Sequence, residues 1–128
     1  MKSLVSGVTT FALSAGCSNA TAPVEFTIHV DSISGPTAIS GGAAFEARLW
    51  GTVGSTGCSA FKELRTTRVP SQLDVTVIGQ RIDGVPCTQA FVPLDGVVLR
   101  IEPVIPPGFR IVVHQEDGSV LLRAIYSE

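Results

Sequence analysis

Alternation of apolar and polar side chains constrains this chain more than any other feature. From Val24 to Asp31 the apolar residues occupy every second position without a break. A period of two is typical of a β-strand with one buried face, because successive side chains in a strand point to opposite faces. The same alternation recurs downstream, with the apolar phase at Phe45, Ala47, Leu49 and Val53, at Leu73, Val75 and Val77, and at Val97, Leu99 and Ile101.

Turn signals made of Gly, Pro, Asp and Ser separate these runs, as in Gly54–Gly57 and Pro106–Gly108. No stretch keeps helical spacing long enough to predict a helix. Residues 60–68 also suit one helical turn, but we assign them to a strand. Short strands at this density predict an all-β domain over residues 24–128, an antiparallel immunoglobulin-like β-sandwich of about seven strands.

Composition limits the classes of partner. The 128 residues are 45% hydrophobic and 16% charged, which excludes a disordered chain and suits one domain. Nine basic residues against eleven acidic ones give a net charge of −2. Nucleic acid is therefore not expected as a partner, because phosphate contacts require clustered Lys and Arg.

The last hairpin allows a prediction of register. Asp117-Gly118 is a favourable two-residue turn, which would place Glu116 opposite Ser119. Counting outward then puts three pairs on the core face: Val113 with Leu122, Ile111 with Ala124, and Phe109 with Tyr126. The outer face would hold His114 with Leu121, Val112 with Arg123, and Arg110 with Ile125.

The first residues have the pattern of an export signal. Lys2 is followed by a weakly apolar stretch, and the small residues Ser14–Gly16 precede Cys17. This segment resembles the lipobox of bacterial lipoproteins, with Ser14 where the family prefers Leu. The resemblance implies removal of residues 1–16 and lipidation of Cys17, and Ser18 implies transit to the outer membrane. The alternatives are an ordinary secretory signal cleaved nearby, or a disordered tail.

Three cysteines leave one thiol unpaired in an exported protein. If Cys17 carries lipid, Cys58 and Cys87 remain as a pair that an oxidising envelope would join. A zinc site is the competing use, but neither cysteine has a Cys-x-x-Cys or His-x-His neighbour. We therefore predict a Cys58–Cys87 disulfide, and a short tether over residues 17–23 that leads into the domain.

The stretch Pro107-Gly108-Phe109-Arg110-Ile111-Val112-Val113 resembles the turn and penultimate strand of immunoglobulin-like domains in bacterial surface proteins. This resemblance implies an architecture and no functional residues. Immunoglobulin domains proper bury a Trp against their disulfide, whereas the single Trp of this chain falls on the polar phase of its strand.

The sequence contains few residues arranged for catalytic chemistry. His29 and Asp31 share one strand face and could hydrogen-bond or hold a weakly bound metal, but a solvated outer face is the favoured interpretation. His114 lies on another polar phase. No Gly-x-Ser-x-Gly elbow is present, and bonded cysteines leave no free thiolate. We predict no enzymatic activity and no cofactor.

Trp50 is the strongest candidate for a binding residue. It lies on the outward phase beside Arg48, and Trp and Arg are enriched at binding hot spots. Further apolar side chains on outward phases either form a partner patch or are covered by other segments; they are Ile78, Ile82, Leu121 and Ile125. The basic residues Lys62, Arg65 and Arg68 either contact anionic headgroups or lie on a solvated strand.

These observations favour a small outer-membrane lipoprotein that acts as a non-enzymatic binding or envelope-structural module. Its partners would be the membrane, through the lipid, and a protein of the envelope. One alternative is a protease-inhibitor or chaperone-like module that presents loops such as 54–59 or 103–108. Another is a metal-dependent hydrolase that uses His29 and Asp31.

Overall fold

The computed structural model describes residues 22–40 and 43–127, which form nine strands in two sheets and contain no helix. The all-β, two-sheet prediction is therefore confirmed. The strands are β1 (Pro23–Thr27), β2 (His29–Ser34), β3 (Ala38–Ile39), β4 (Phe45–Gly54), β5 (Ser59–Val69), β6 (Gln72–Ile82), β7 (Val92–Ile101), β8 (Phe109–His114) and β9 (Val120–Ser127). Nine strands replace the predicted seven, because the first alternating run divides into β1 and β2 and because β3 is additional.

The small sheet has the order β2-β4-β7, and all its pairings are antiparallel. The large sheet is built around β6, which pairs with β5 along one edge. The other edge of β6 is shared, with β8 at residues 72–75 and β1 at residues 78–82. β9 follows β8, and β3 follows β9.

Two pairings in the large sheet are parallel, β6 with β8 and β3 with β9, so the sandwich is not antiparallel throughout. Parallel neighbours need a crossover connection. For β6 and β8 this crossover is β7 in the small sheet and the segment that follows it, so the chain visits the other layer between the two strands.

The chain changes sheets at Ile28. The residues before it pair with β6 in the large sheet, and the residues after it pair with β4 in the small sheet. The Ile28 N–H donates to the carbonyl of Val77 over 2.8 Å, and its side chain is buried. The unbroken alternation from Val24 to Asp31 therefore belongs to two strands, and the predicted inward position of Val24 is wrong, because this side chain is exposed.

One apolar core fills the space between the sheets. The alternating residues predicted to point inward on β4 and β6 are buried, and so are Leu99 and Ile101 on β7. β8 adds three fully buried side chains, Phe109, Ile111 and Val113. Since none of the described polar side chains is buried, the fold is held by apolar packing and strand pairing.

The register of the β8–β9 hairpin differs from the prediction by one residue. Gln115 rather than Glu116 lies opposite Ser119, because the loop has three residues and ends at Gly118 with a φ of +87°. The Asp117 carboxylate accepts bonds from the Ser119 N–H and hydroxyl, which fixes this longer loop.

A shift of one residue exchanges the two faces of a strand. The observed partners of Phe109, Ile111 and Val113 are therefore Ile125, Arg123 and Leu121. Ile125 is buried in the core, and Leu122 and Tyr126, which were predicted to point inward, are exposed. The Arg123 guanidinium turns toward the small sheet, where Nη1 donates to the Ile33 carbonyl over 3.0 Å and Nη2 to the Gly35 carbonyl.

Cys58 and Cys87 lie at disulfide distance, with their Cα atoms 5.4 Å apart, so the predicted pairing is confirmed in the structure. Backbone bonds on both sides reinforce this connection, from the Gly57 N–H to the Thr88 carbonyl and from the Ile82 N–H to the Cys58 carbonyl. The predicted signal, Cys17 and most of the tether lie outside the described residues. No helix in the described ranges is long and apolar enough to cross a membrane.

Candidate functional site

Trp50 lies on the outer face of the small sheet, on its central strand β4. The residue is 37% exposed, so the predicted outward orientation is confirmed. Its Nε1 donates to the hydroxyl of Ser34 on β2 over 3.0 Å. The indole therefore extends toward one neighbouring strand and is fixed there by its polar end.

The ring also covers Gly96 on the other neighbour, β7. The pairing of β4 with β7 shifts by one residue between Leu49 and Trp50, and Gly96 is the extra residue, with a φ of +72°. A Cβ added at this position would lie 3.0 Å from Cη2 of the indole. Glycine is therefore required here both by the bulge and by the close approach of the ring.

Arg48 and its neighbours surround the indole with mixed charge. Arg48 Nη1 donates to the Gly96 carbonyl over 3.1 Å, so this side chain stays beside the ring. Glu46 and Arg100 are paired across β4 and β7, with Arg100 Nη1 3.9 Å from Glu46 Oε2. The exposed Val98 lies opposite Arg48. We call this surface the Trp50 face and define it by Ser34, Glu46, Arg48, Trp50, Val98 and Arg100.

The other apolar residues predicted on outward phases divide into two groups. Leu121 and Ile125 turn inward because of the observed hairpin register, and Ile78 is buried beside the irregular pairing at Phe61 and Glu63. Ile82 is exposed at the end of β6. These positions therefore do not form one patch with Trp50.

His29 is held between two carboxylates. Its Nδ1 lies 3.0 Å from Oε1 of Glu116 on the β8–β9 loop, and its Nε2 lies 3.4 Å from Oδ1 of Asp31. The hydrogen bond with Glu116 raises the pKa of His29, and the charges of Asp31 and Asp117 add to this effect. The arrangement favours the imidazolium, which has no free lone pair for a metal.

Among residues 22–40 and 43–127, no cluster of three or more His, Cys, Asp and Glu side chains is arranged to hold a metal ion. A second histidine, His114, lies 2.9 Å from Oδ1 of Asp74 on the outside of the large sheet. Hydrogen bonding to His114 lowers the pKa of Asp74, and a bond from Gln72 contributes. No sequence pattern indicates this pair, because β6 and β8 become neighbours only in the folded protein.

The predicted basic cluster is largely neutralised. Lys62 and Arg65 both bind Glu25 on β1, and Arg65 also binds Glu63 over 2.6 Å. The bonds from Lys62 and Arg65 lower the pKa of Glu25. Arg68 points elsewhere, to the connection between β7 and β8. Lys62 and Arg65 therefore belong to an ion-pair network on the strand surface.

The segment 102–108, which contains the predicted presenting loop 103–108, is held from both sides. Arg68 donates to the carbonyls of Glu102 and Val104 and lies 4.7 Å from the centre of the Phe109 ring. Ile105 is buried in the core, whereas the neighbouring Val104 is 78% exposed. An open groove of about 560 Å³ lies beside it. Its lining consists of Arg68, Val69, Pro70, Glu102, Pro103, Val104 and Pro106.

The second proposed loop, 54–59, is tied down by the disulfide and by the bond from Gly57 to Thr88. It presents no large exposed hydrophobic residue. Of the two loops, segment 102–108 is therefore the better candidate for contact with another protein. The sequence did not indicate the support from Arg68, because 34 residues separate it from Glu102.

No protein-family model matches the chain, and no curated protein or solved structure is significantly similar to it.

Proposed function

We propose that this chain is a lipid-anchored, non-enzymatic binding module of the bacterial cell envelope, and that it contacts a protein partner through the Trp50 face. The resemblance of Ser14–Cys17 to a lipobox supports the anchor, and Ser18 supports the outer membrane as the destination. The disulfide distance between Cys58 and Cys87 is compatible with an oxidising compartment.

The fixed position of Trp50 is the observation that carries the binding proposal. A side chain that is already ordered loses little conformational entropy when it binds, and the contacts with Gly96 and Ser34 provide this order. Trp50 and Val98 both expose apolar area on this face, which also carries the charges of Arg48, Glu46 and Arg100. An apolar centre with a polar rim is the usual arrangement of a protein-binding surface.

Capture of partners from detergent-solubilised envelopes tests the contact face. The immobilised wild-type protein should retain a defined partner, and Trp50→Ala should lose most of it. Phe61→Ala is the matched control, since Phe61 is also an aromatic residue that is 37% exposed, but lies on the large sheet. Equal recovery of the partner with Trp50→Ala and with wild type would contradict the proposal.

Mass spectrometry of the native protein tests the anchor separately. We expect a mature chain that begins at Cys17 and carries acyl groups there, and a soluble product when Cys17 is replaced by Ser. A native chain with an unmodified Cys17 would contradict the anchor but would leave the binding face untouched.

Segment 102–108 favours a second candidate function, protease inhibition. A protease inhibitor presents an exposed side chain on a backbone that neighbouring residues hold rigid, so that the peptide bond resists cleavage. Arg68 and the buried Ile105 hold the backbone around Val104 in this way. Its small apolar side chain suits serine proteases with a small specificity pocket. We expect inhibition by wild type, loss with Val104→Asp, and no change with Val85→Asp at an exposed valine elsewhere. Absence of inhibition by wild type across such proteases would exclude this candidate.

A further inference from the structure

β9 carries an exposed apolar stripe on the outer face of the large sheet. The stripe consists of Val120, Leu122, Ala124 and Tyr126, and Leu122 and Tyr126 are 59% and 66% exposed. Val112, opposite Leu122 on β8, is buried beside it. Three large exposed apolar side chains on one face of a single strand are unusual for a surface that contacts only water.

Among residues 22–40 and 43–127, no strand pairs with the backbone of Val120, Leu122 or Ala124 along this edge. The Gln115 N–H bonds to the Ser119 carbonyl, so alternation along the hairpin directs the N–H and C=O groups of Val120, Leu122 and Ala124 away from β8. The Tyr126 N–H confirms this direction, because it donates to Thr37 on the far side over 2.7 Å. Within the described ranges, β3 pairs with this edge only at Tyr126 and Ser127.

The opposite edge of the same sheet has protection that β9 lacks. β5 carries Lys62, Arg65 and Arg68, and its pairing is irregular between Phe61 and Glu63. Charged side chains and bulges are the features that keep an edge strand from pairing with another chain. On β9 the single charged residue, Arg123, points inward and binds carbonyls of its own chain.

We propose that β9 pairs in antiparallel fashion with β9 of a second copy of this chain, about a two-fold axis at Leu122. The open stretch lies between the hairpin loop, which ends at Gly118, and the pairing with β3, which begins at Tyr126. Leu122 is the midpoint between these limits, and its N–H and C=O face the open edge. An antiparallel self-pairing centred there fits both limits at once.

This pairing satisfies the open backbone groups and covers the stripe. Leu122 exchanges hydrogen bonds with Leu122 of the partner subunit, and Val120 does so with Ala124 of the partner subunit. The side chains of the two stripes then lie next to each other on one continuous outer face. The Trp50 face lies on the other sheet and stays accessible, so the dimer does not depend on the proposed binding function.

Disulfide trapping tests the register directly. The full chain carries Cys17→Ser in every variant so that its thiol does not react. A hydrogen-bonded antiparallel pair places Cα atoms about 5.5 Å apart, within disulfide range. Leu122→Cys should therefore give a covalent dimer on mild oxidation. Val98→Cys on the other sheet and Tyr126→Cys, displaced from the axis, should not. Equal trapping at Val98, or at Tyr126, would overturn the proposal.

Ala124→Pro tests the edge without altering the intramolecular ladder. The N–H that it removes faces the open edge, so the β8–β9 bonds remain, and a proline is tolerated on a free edge. In sedimentation equilibrium we expect wild type to dimerise and Ala124→Pro to raise the dissociation constant by at least about tenfold. Wild type that stays monomeric at every concentration would refute the proposal, as would a folded Ala124→Pro with an unchanged constant.

Discussion

The side-chain amide of Gln115 hydrogen-bonds both backbone groups of Val30: Oε1 accepts from the N–H over 3.0 Å, and Nε2 donates to the carbonyl over 2.7 Å. Gln115 thus occupies the place of one residue of an additional strand at the edge of β2. Since Val30 is buried, this single side chain satisfies groups that water reaches poorly.

Replacing Gln115 should therefore cost more than a surface substitution. Gln115→Ala leaves the N–H and C=O of Val30 without partners, and we expect the free energy of unfolding to fall by about 2–3 kcal/mol. Gln89→Ala, at an exposed position, should change it by less than about 0.5 kcal/mol. Urea unfolding measures both. Similar losses in the two variants would show that the amide contributes nothing special.

The contact between His29 and Glu116 predicts a pH dependence of stability. The pKa of His29 is raised in the folded state. The stabilisation that protonated His29 provides is therefore fully present at pH values below its pKa in the unfolded chain, about 6.5. It is lost as the pH rises through the folded pKa. The stability difference between wild type and His29→Gln should therefore be larger at pH 5.5 than at pH 8.5.

Denaturant titrations at several pH values measure this difference directly. Groups remote from His29 contribute equally in both proteins, so their contributions cancel. Glu116→Gln should also reduce the pH dependence, since Glu116 is the main cause of the raised pKa. Parallel curves for wild type and His29→Gln would contradict the prediction.

Gly96→Ala should disturb the only tryptophan. Alanine is strained at the positive φ of position 96, and its methyl group would press against the Trp50 ring. We therefore expect the free energy of unfolding to fall by about 1–2 kcal/mol and the indole emission to shift to the red. Gly118→Ala is the matched control: its φ is also positive, but no atom lies within 4 Å of the added methyl. The free energy of unfolding of Gly118→Ala should fall by about 1 kcal/mol, and its indole emission should not change. A common emission spectrum would argue against ring packing on Gly96.

Removing the disulfide should weaken the fold without rearranging it. Cys58 and Cys87 are 29 positions apart in the sequence. We expect the variant with both replaced by Ser to lose about 3–4 kcal/mol of its free energy of unfolding. Thermal and urea unfolding of oxidised and reduced wild type provide the same comparison. Cys17→Ser should leave the free energy of unfolding unchanged, and an equal effect from Cys17 would refute the assigned pairing.

The sequence predicted the fold class because burial repeats with the period of a strand. The inward residues of β4 and β6 and the outward position of Trp50 all follow from this alternation. The break at Ile28 could not be predicted in the same way. A chain that passes between two facing sheets can keep the same alternation, so the pattern does not mark where the pairing partner changes.

The β8–β9 hairpin shows that the sequence pattern does not determine strand register to within one residue. Asp117-Gly118 suits both a two-residue turn and a three-residue loop, and the choice depends on the bonds from Ser119 to the Asp117 carboxylate. Those bonds form only once the loop exists. Register decides which side chains of β9 face the core. The predicted register placed Leu122 and Tyr126 there, so the exposed stripe on β9 was not predicted. The support of segment 102–108 by Arg68 was equally hidden, since it joins residues far apart in sequence.

The shared edge of β6 also governs when the protein can fold during synthesis. β1 leaves the ribosome early, yet its pairing partner is complete only once Ile82 has been added. β8 and β9 supply Phe109, Ile111, Val113 and Ile125 to the core, and they follow the other seven described strands in the chain. The nascent chain therefore lacks a closed core until β9 has been synthesised, and during that interval it is available to any factor that must handle it unfolded.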